Sequence, residues 1–310
     1  MSLEFRFCIS PTPGFYSNIR LAALSLRKLG PPYDSARLIV AVGDYATLDE
    51  IQAATPWSRD LPIIWRTVPQ DQFTAESYRA THNERFLEPL AANTQAVFIC
   101  DADACLVDRI DALVELLSGP GRRVAGLQAH FSPFSRDPAV NETEWRRIYA
   151  AFPFGPPSFE HPYSGDPQAV CGWAPPYVNY GFVGLSREAF EAVAPVQAEV
   201  TRKVADLTNN LIFQGQIALS LILNATDIRY IPLSFAYNCS NDDLPFTAAA
   251  PYRIDDAAEA RVIHYLRGEQ LDRHKFLVET AAYRSLLGAH DLNPVNFRLR
   301  AHVLNLSKTK

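Results

Sequence analysis

Apolar runs broken by turn residues divide the chain into alternating short strands and helices. Phe5 to Ser10 reads as a first strand, Pro11 to Tyr16 as a turn, and Ser17 to Leu29 as a helix stopped by Gly30-Pro31-Pro32. Ala36 to Val42 and Ile63 to Val68 read as two more strands, closed by Gly43-Asp44 and bracketed by Pro62 and Pro69. A helix near Ala75 to Leu90 leads into Ala96-Val97-Phe98-Ile99-Cys100, an apolar run that stops at Asp101-Ala102-Asp103. Strands alternating with helices predict a mostly parallel sheet.

Further on, Asp108 to Leu117 reads as a short helix and Val124 to Ala129 as a strand. Residues 131–180 hold nine of the 23 prolines and eleven of the 35 aromatic residues. They predict a long, loop-rich segment with a functional role rather than filler. Gly181 to Leu185, Arg229 to Pro232 and Ala260 to Tyr265 follow as strands, with helices at Arg187 to Val193 and near Gln216 to Leu223. From about Glu269 the chain reads as helical.

The chemistry is concentrated at Asp101 and Asp103. Side chains alternate along an extended segment, so carboxylates two residues apart face the same way. Ligands of open α/β sheets bind beyond the carboxyl ends of the strands, and paired carboxylates there suit Mg2+ or Mn2+ carrying phosphate oxygens. The alternative is a pair of turn or capping aspartates. His264 ends another apolar strand and suits Mn2+ as a third ligand, or is a hydrogen-bonded core histidine. Ser10, Phe15 and Tyr16, after the first strand, sit where a base and ribose would lie. Asp44, after the second, either accepts from a base N–H or caps a helix. Trp145, Trp173 and Tyr177 are candidates for stacking on sugar faces, or a small core under the long segment. His82, His130 and His161 read as surface groups.

Composition narrows the reading. The 310 residues carry a net charge of −5 without a Lys/Arg block, which argues against nucleic acid. The five cysteines are scattered and lack Cys-x-x-Cys spacing, as expected of reduced core thiols in a cytoplasmic protein. No leader pattern and no run of 18 apolar residues occurs, so a soluble protein is expected. Arg298, Arg300, Lys308 and Lys310 allow at most a peripheral membrane contact, or form a solvated tail.

Taken in order, the motifs resemble those of the retaining glycosyltransferases of family eight, the glycogenin and lipopolysaccharide-galactosyltransferase type, over roughly Phe5 to Gly268. Val97 to Asp103 is similar to the family's strand and Asp-x-Asp. Asn179-Tyr180-Gly181-Phe182-Val183 resembles its Asn-Ser-Gly-Val, and Gln216-Ile217-Ala218-Leu219 its Asp-Gln-x-x-Leu-Asn. Ile231-Pro232 through Tyr237-Asn238 resembles Leu-Pro-x-x-(Tyr/Trp)-Asn, and Ile263-His264-Tyr265-Leu266-Arg267-Gly268 resembles Ile-His-(Phe/Tyr)-x-Gly. Three departures stand out. Gly215 replaces the Asp before the glutamine, one extra residue precedes Gly268, and the Lys-Pro-Trp that often follows is absent.

The resemblance implies a GT-A-type, Rossmann-like α/β fold: a mixed sheet flanked by helices in a single main domain. That domain spans 1–268, with 131–180 on the acceptor side and a C-terminal helical extension at 269–310. It implies metal-dependent transfer of a sugar from a nucleotide-diphosphate sugar, a UDP-sugar, to an acceptor hydroxyl with retention. Asp101, Asp103 and His264 would hold Mn2+ or Mg2+. Gln216 would sit near the anomeric carbon and Asn179 would hold sugar hydroxyls. Arg85 and Gly268 would help bind the donor, and Arg267 or Lys275 would replace the absent lysine. Two rivals are a sugar nucleotidyltransferase, whose Gly-rich basic loop Pro11 to Tyr16 lacks, and a non-catalytic carbohydrate- or nucleotide-binding protein of the same fold.

Overall fold

The computed structural model describes residues 2–43, 46–68, 83–166, 168–209 and 212–307. The elements in chain order are β1 (Ser2–Ile9), α1 (Pro13–Leu29), β2 (Arg37–Val42), α2 (Leu48–Ala54), β3 (Ile63–Thr67), α3 (Glu84–Leu87), β4 (Thr94–Cys100), β5 (Ala104–Leu106), α4 (Asp111–Ser118) and β6 (Arg123–Gln128). Then come α5 (Pro138–Ala150), β7 (His161–Pro162), β8 (Trp173–Ala174), β9 (Val178–Ser186), α6 (Arg187–Thr208), α7 (Gln214–Ala225), β10 (Arg229–Pro232), β11 (Cys239–Ser240), α8 (Leu244–Thr247), β12 (Val262–His264), α9 (Thr280–Gly288) and α10 (Pro294–Ser307).

Among the described residues, seven strands form the main sheet in the order β10-β6-β9-β4-β1-β2-β3. Only β9 runs against its neighbours; β1, β2, β3 and β4 are mutually parallel, and β6 parallels β10. The carboxyl ends of β1, β2, β4 and β6 therefore share one edge. A second sheet, β11-β12-β5, stands at that edge. β4 is its feeder: a tight turn at 101–103 carries the chain from β4 straight into β5.

The central strand β4 is buried on both faces, which explains its unbroken apolar run. Phe5, Phe98 and Phe182 on β1, β4 and β9 stack across the sheet with ring centroids 4.8 and 5.3 Å apart. Such ring pairs add about 0.5–1.5 kcal/mol each beyond the area they bury. A third apolar cluster joins Tyr265 and Ile263 to Phe276, Leu286, Val295, Leu299 and Val303, so the C-terminal helices close over the second sheet.

Several elements depart from the sequence reading. α1 starts at Pro13 because proline suits the first helical turn and Thr12 caps it, accepting from the Phe15 N–H. α6 runs 22 residues through Pro195. Its buried positions Phe190, Val193, Gln197, Val200 and Val204 keep the helical period on both sides of the proline. Within 131–180, α5 was not expected. Its inward stripe is only Asn141, Trp145, Ile148 and Tyr149, and Asp137 caps it by accepting from the Ala139 and Val140 N–H groups. Trp145 and Tyr177 are fully buried there, 5.3 Å apart edge to face, so they are core rather than sugar platforms; Trp173 remains about half exposed. Most of the helix expected at 75–90 lies outside the described residues.

Candidate functional site

The two sheets meet at Asp101 and Asp103. The Asp101 N–H donates to the Gly181 carbonyl, and the Tyr265 N–H donates to the Asp103 carbonyl. β12 pairs antiparallel with β5, placing His264 opposite Ala104. These backbone bonds bring the three side chains together: His264 Nε2 lies 3.3 Å from Asp103 Oδ1 and 3.9 Å from Asp101 Oδ2. One ligand atom from each of the three lies within 4.8 Å of the others. Asp103 and His264 are buried and Asp101 is half-buried.

A single backbone N–H sets the histidine's orientation. The Gly181 N–H donates to Asn179 Oδ1 at 2.8 Å, so that oxygen is an acceptor. Asn238 Nδ2 therefore donates to it at 3.0 Å, which turns Asn238 Oδ1 toward His264 Nδ1 at 2.9 Å. His264 must donate from Nδ1, and Nε2 is left facing the carboxylates. Asn179 thus has its side-chain oxygen committed to the protein. The nesting is close: a Cβ on Gly181 would come within 2.3 Å of His264 Nδ1.

Burial opposes charge on His264, but the Asp103 and Asp101 carboxylates outweigh it and raise its pKa. Burial would likewise raise Asp103, yet His264 and then Arg273 hold it well below the usual carboxylate range. Arg273 was not anticipated. Its guanidinium pairs directly with Asp103 Oδ2. Of the two cations proposed for this place, Arg267 instead pairs with Asp242 and Lys275 with Asp272. Arg273 could not be picked out by spacing because it reaches the site from a turn more than 160 residues away.

Arg85 is buried and donates from Nη1 to the Cys100 carbonyl at 3.1 Å and to Asp101 Oδ1 at 3.2 Å. Its own backbone is clamped by Arg6, which donates to the Arg85 and Glu88 carbonyls. Arg6 is in turn paired with Glu4 at 2.8 Å, both fully buried. This chain of charges runs from β1 through the segment before β4 to the first aspartate.

Ser10 is half-buried at the end of β1, and Phe15 stands edge-on to His274, 5.1 Å away. Tyr16 turns into the core against Trp65, so of the two aromatics only Phe15 is turned to this edge. Gly268 is exposed and has open space where a Cβ would lie. Gln216 is half-buried in the first turn of α7. Asp44 and His82 lie outside the described residues. His130 and His161 are half-buried rather than surface groups, packed against Phe235 and Tyr230 respectively.

Gly215 and Tyr180 are spatially linked. The Tyr180 hydroxyl donates to the Gly215 carbonyl at 2.6 Å, and a Cβ on Gly215 would sit 3.3 Å from the Tyr180 ring. The bulky ring fills the space beside the residue that carries no side chain.

The donor set of two carboxylates and one imidazole nitrogen fits a Mg2+- or Mn2+-type cation. The imidazole is held through its other nitrogen, as metal-bound histidines are. All five cysteines are buried and none is in a disulfide, and burial pushes Cys105 and Cys239 up to about 12, which leaves those two inert.

No protein-family model and no curated protein matches the chain. Solved structures do. The galactosyltransferase LgtC in complex with donor and acceptor sugar analogs superposes with a TM-score of 0.53 at 14% identity, covering 95% of this chain and 99% of that one. An active-site glutamine-to-glutamate mutant of LgtC gives the same score and identity over 90% and 93%. The fold is GT-A. The WbbM bifunctional glycosyltransferase is similar as well, with a TM-score of 0.52 at 12% identity over 96% of this chain and 51% of that one. In this GT-A frame the Asp101–Asp103–His264 cluster stands at the carboxyl edge of the sheet. No helix among the described residues is long and apolar enough to cross a membrane.

Proposed function

We propose that the protein is a family-eight-type glycosyltransferase that moves a sugar, with retention, from a UDP-sugar to an acceptor hydroxyl. The observation that carries this reading is the convergence of Asp101, Asp103 and His264 within 4.8 Å at the carboxyl edge of a GT-A sheet. A divalent cation held there supplies positive charge for the departing nucleoside diphosphate.

The chain's own residues do the rest. Arg85 keeps Asp101 turned to the site, and the Asn179–Asn238 pair keeps His264 Nε2 forward. Arg273, freed from Asp103, is the cation available to the diphosphate and takes the role assigned on sequence to Arg267 or Lys275. Phe15 offers an edge to the base, beside Ser10. Gln216, whose side chain has no hydrogen-bond partner among the described residues, is placed to face the anomeric carbon. The LgtC neighbour mutated at an active-site glutamine supports that choice. As the sugar–phosphate bond breaks, the departing phosphate oxygen takes the proton of the acceptor hydroxyl that bonds to the anomeric carbon on the same face, which yields retention.

The test is a thermal-shift panel of UDP, GDP and CDP, each with Mn2+ and with EDTA. Ligand at 100 times its dissociation constant stabilises by about 2.7 kcal/mol. A Mn2+-dependent shift confined to UDP is expected, absent in Asp103→Asn. A shift that survives EDTA or Asp103→Asn overturns the metal assignment.

A further inference from the structure

Tyr180 sits on β9 between Asn179 and Gly181 and is almost fully buried. Side chains alternate along a strand, so its ring lies on the face opposite the Asn179 side chain and the histidine it helps to hold. There it meets two parts of the site at once. The Arg85 guanidinium lies over the ring, 5.1 Å from its centroid, and the same guanidinium holds Asp101 Oδ1. The hydroxyl donates to the Gly215 carbonyl at 2.6 Å.

Gly215 belongs to the first turn of α7, and Gln216 follows it. That turn is poorly fixed from within. Phe213 at the cap position gives it no side-chain hydrogen bond, and the glycine gives it no side chain. It is fixed from outside instead. Gln197, fully buried on α6, donates from Nε2 to the Gly215 carbonyl at 3.0 Å and to the Tyr180 hydroxyl at 3.2 Å. The hydroxyl therefore gives one hydrogen bond and receives another, and the carbonyl takes both donors. Burial pushes the phenol well above its usual range, so it remains a donor at every working pH.

We infer that Tyr180 is a positioning residue for sugar transfer: it ties the arginine behind Asp101 to the helix turn that carries Gln216, and so sets the glutamine's place relative to the cation site. The inference rests on the glycosyl-transfer reading and deepens it. Tyr180 touches no substrate and moves no proton. Its hydroxyl acts through the Gly215 backbone, so its loss alters the reacting geometry and leaves the affinity for the nucleotide alone.

The fold contains a matched control. Tyr149 is another buried tyrosine whose hydroxyl donates to a carbonyl of α7, that of Ser220 at 3.0 Å. Ser220 lies about 7.5 Å further along the helix than Gly215. Tyr149→Phe and Tyr180→Phe each remove a phenol hydrogen bond to the same helix, and only the second removes it from the turn beside Gln216.

The experiment follows UDP release with Mn2+ from UDP-glucose, UDP-galactose, UDP-xylose and UDP-N-acetylglucosamine, with water as acceptor, by the wild type and the two variants. Urea melts and Mn2+–UDP thermal shifts run in parallel. In Tyr180→Phe, kcat falls at least about fivefold, the worth of one hydrogen bond, and up to about a hundredfold for a 1 Å displacement of the glutamine. KM stays within about twofold and the Mn2+–UDP shift is unchanged. Tyr149→Phe loses comparable stability and keeps its kcat within about twofold. A kcat in Tyr180→Phe within about twofold of wild type overturns the inference. Equal losses of kcat in the two variants overturn it as well, since both bonds are then merely structural. A wild type that releases no UDP from any of these donors refutes the transfer reading itself, and the inference falls with it.

Discussion

An alanine at position 181 places a methyl carbon 2.3 Å from His264 Nδ1, 2.5 Å from Cε1 and 2.8 Å from Asn238 Oδ1. Atoms of these kinds rest about 3.5 Å apart, so the imidazole has to retreat by roughly 1 Å. The strand cannot retreat instead, because β9 is held by β4 on one side and β6 on the other. Moving the ring breaks its 2.9 Å bond to Asn238 and draws Nε2 away from the carboxylates. Metal sites tolerate displacements of about 0.2 Å, and disturbing the groups behind a ligand costs roughly ten- to hundredfold in affinity. We expect Mn2+ affinity to fall by that factor, about 1.4–2.7 kcal/mol, with a further 1–3 kcal/mol or so of overpacking expressed as lost stability. Calorimetric Mn2+ titration in the presence of UDP reads the first, and urea melts the second. Gly184→Ala is the control, since its Cβ meets Leu117 at 2.6 Å and Phe98 at 3.2 Å, away from the cluster. It should lose stability and keep its Mn2+ affinity. Gly181→Ala binding Mn2+ within about twofold of wild type would refute the reasoning.

Other consequences are as direct. Gly215→Asp forces a carboxylate against the Tyr180 ring and Tyr180→Ser empties the space beside Gly215, each costing about 1–4 kcal/mol. In the double variant the two should compensate by more than about 1 kcal/mol in urea melts, and simple additivity would sink the pairing. His302 is half-buried with Nε2 2.7 Å from Ser25 Oγ, and desolvation pushes its pKa down to about 4. The folded state then refuses a proton that the unfolded chain accepts below about pH 6.5, so stability falls as pH drops from there toward 4. His302→Gln should flatten part of that slope; an unchanged slope in melts at pH 5 and 7 counts against it. Arg6→Met removes the donors that hold the Arg85 and Glu88 carbonyls and leaves Glu4 buried with one cation fewer. It should destabilise by about 3 kcal/mol or more, measured by denaturant titration, and a wild-type melt would contradict the clamp.

The legible parts of this chain were those whose signal is local. The apolar run of β4 ends at its aspartates because a strand buried on both faces carries polar residues only where they are paired, as Glu4 and Arg6 are on β1, and the two carboxylates break the run at the strand's end. β12 and His264 were visible for the same reason. α5 was hidden because only four of its positions turn inward, too sparse a stripe to stand out among its charges. Trp145 and Tyr177 resemble ligand platforms in sequence, since an aromatic beside prolines looks the same whether it faces solvent or a small core. His130 was misjudged because its neighbours in sequence are polar while its neighbours in space, Phe235 and Ser164, come from distant segments. Arg273 follows the same rule: an ion pair between a turn and a strand end leaves no periodic trace.

That ion pair also makes the cation and the nucleotide dependent on each other. A cation on Asp103 Oδ1 would sit beside the guanidinium paired with Oδ2, so like-charge repulsion lowers its affinity on its own. A diphosphate gives both positive groups a counter-charge and removes that penalty. Each ligand should then strengthen the other by the same factor, because coupling between two sites is reciprocal. Mn2+ alone and UDP alone should bind weakly and the two together tightly, so the site fills as a unit or stays closed by its own arginine.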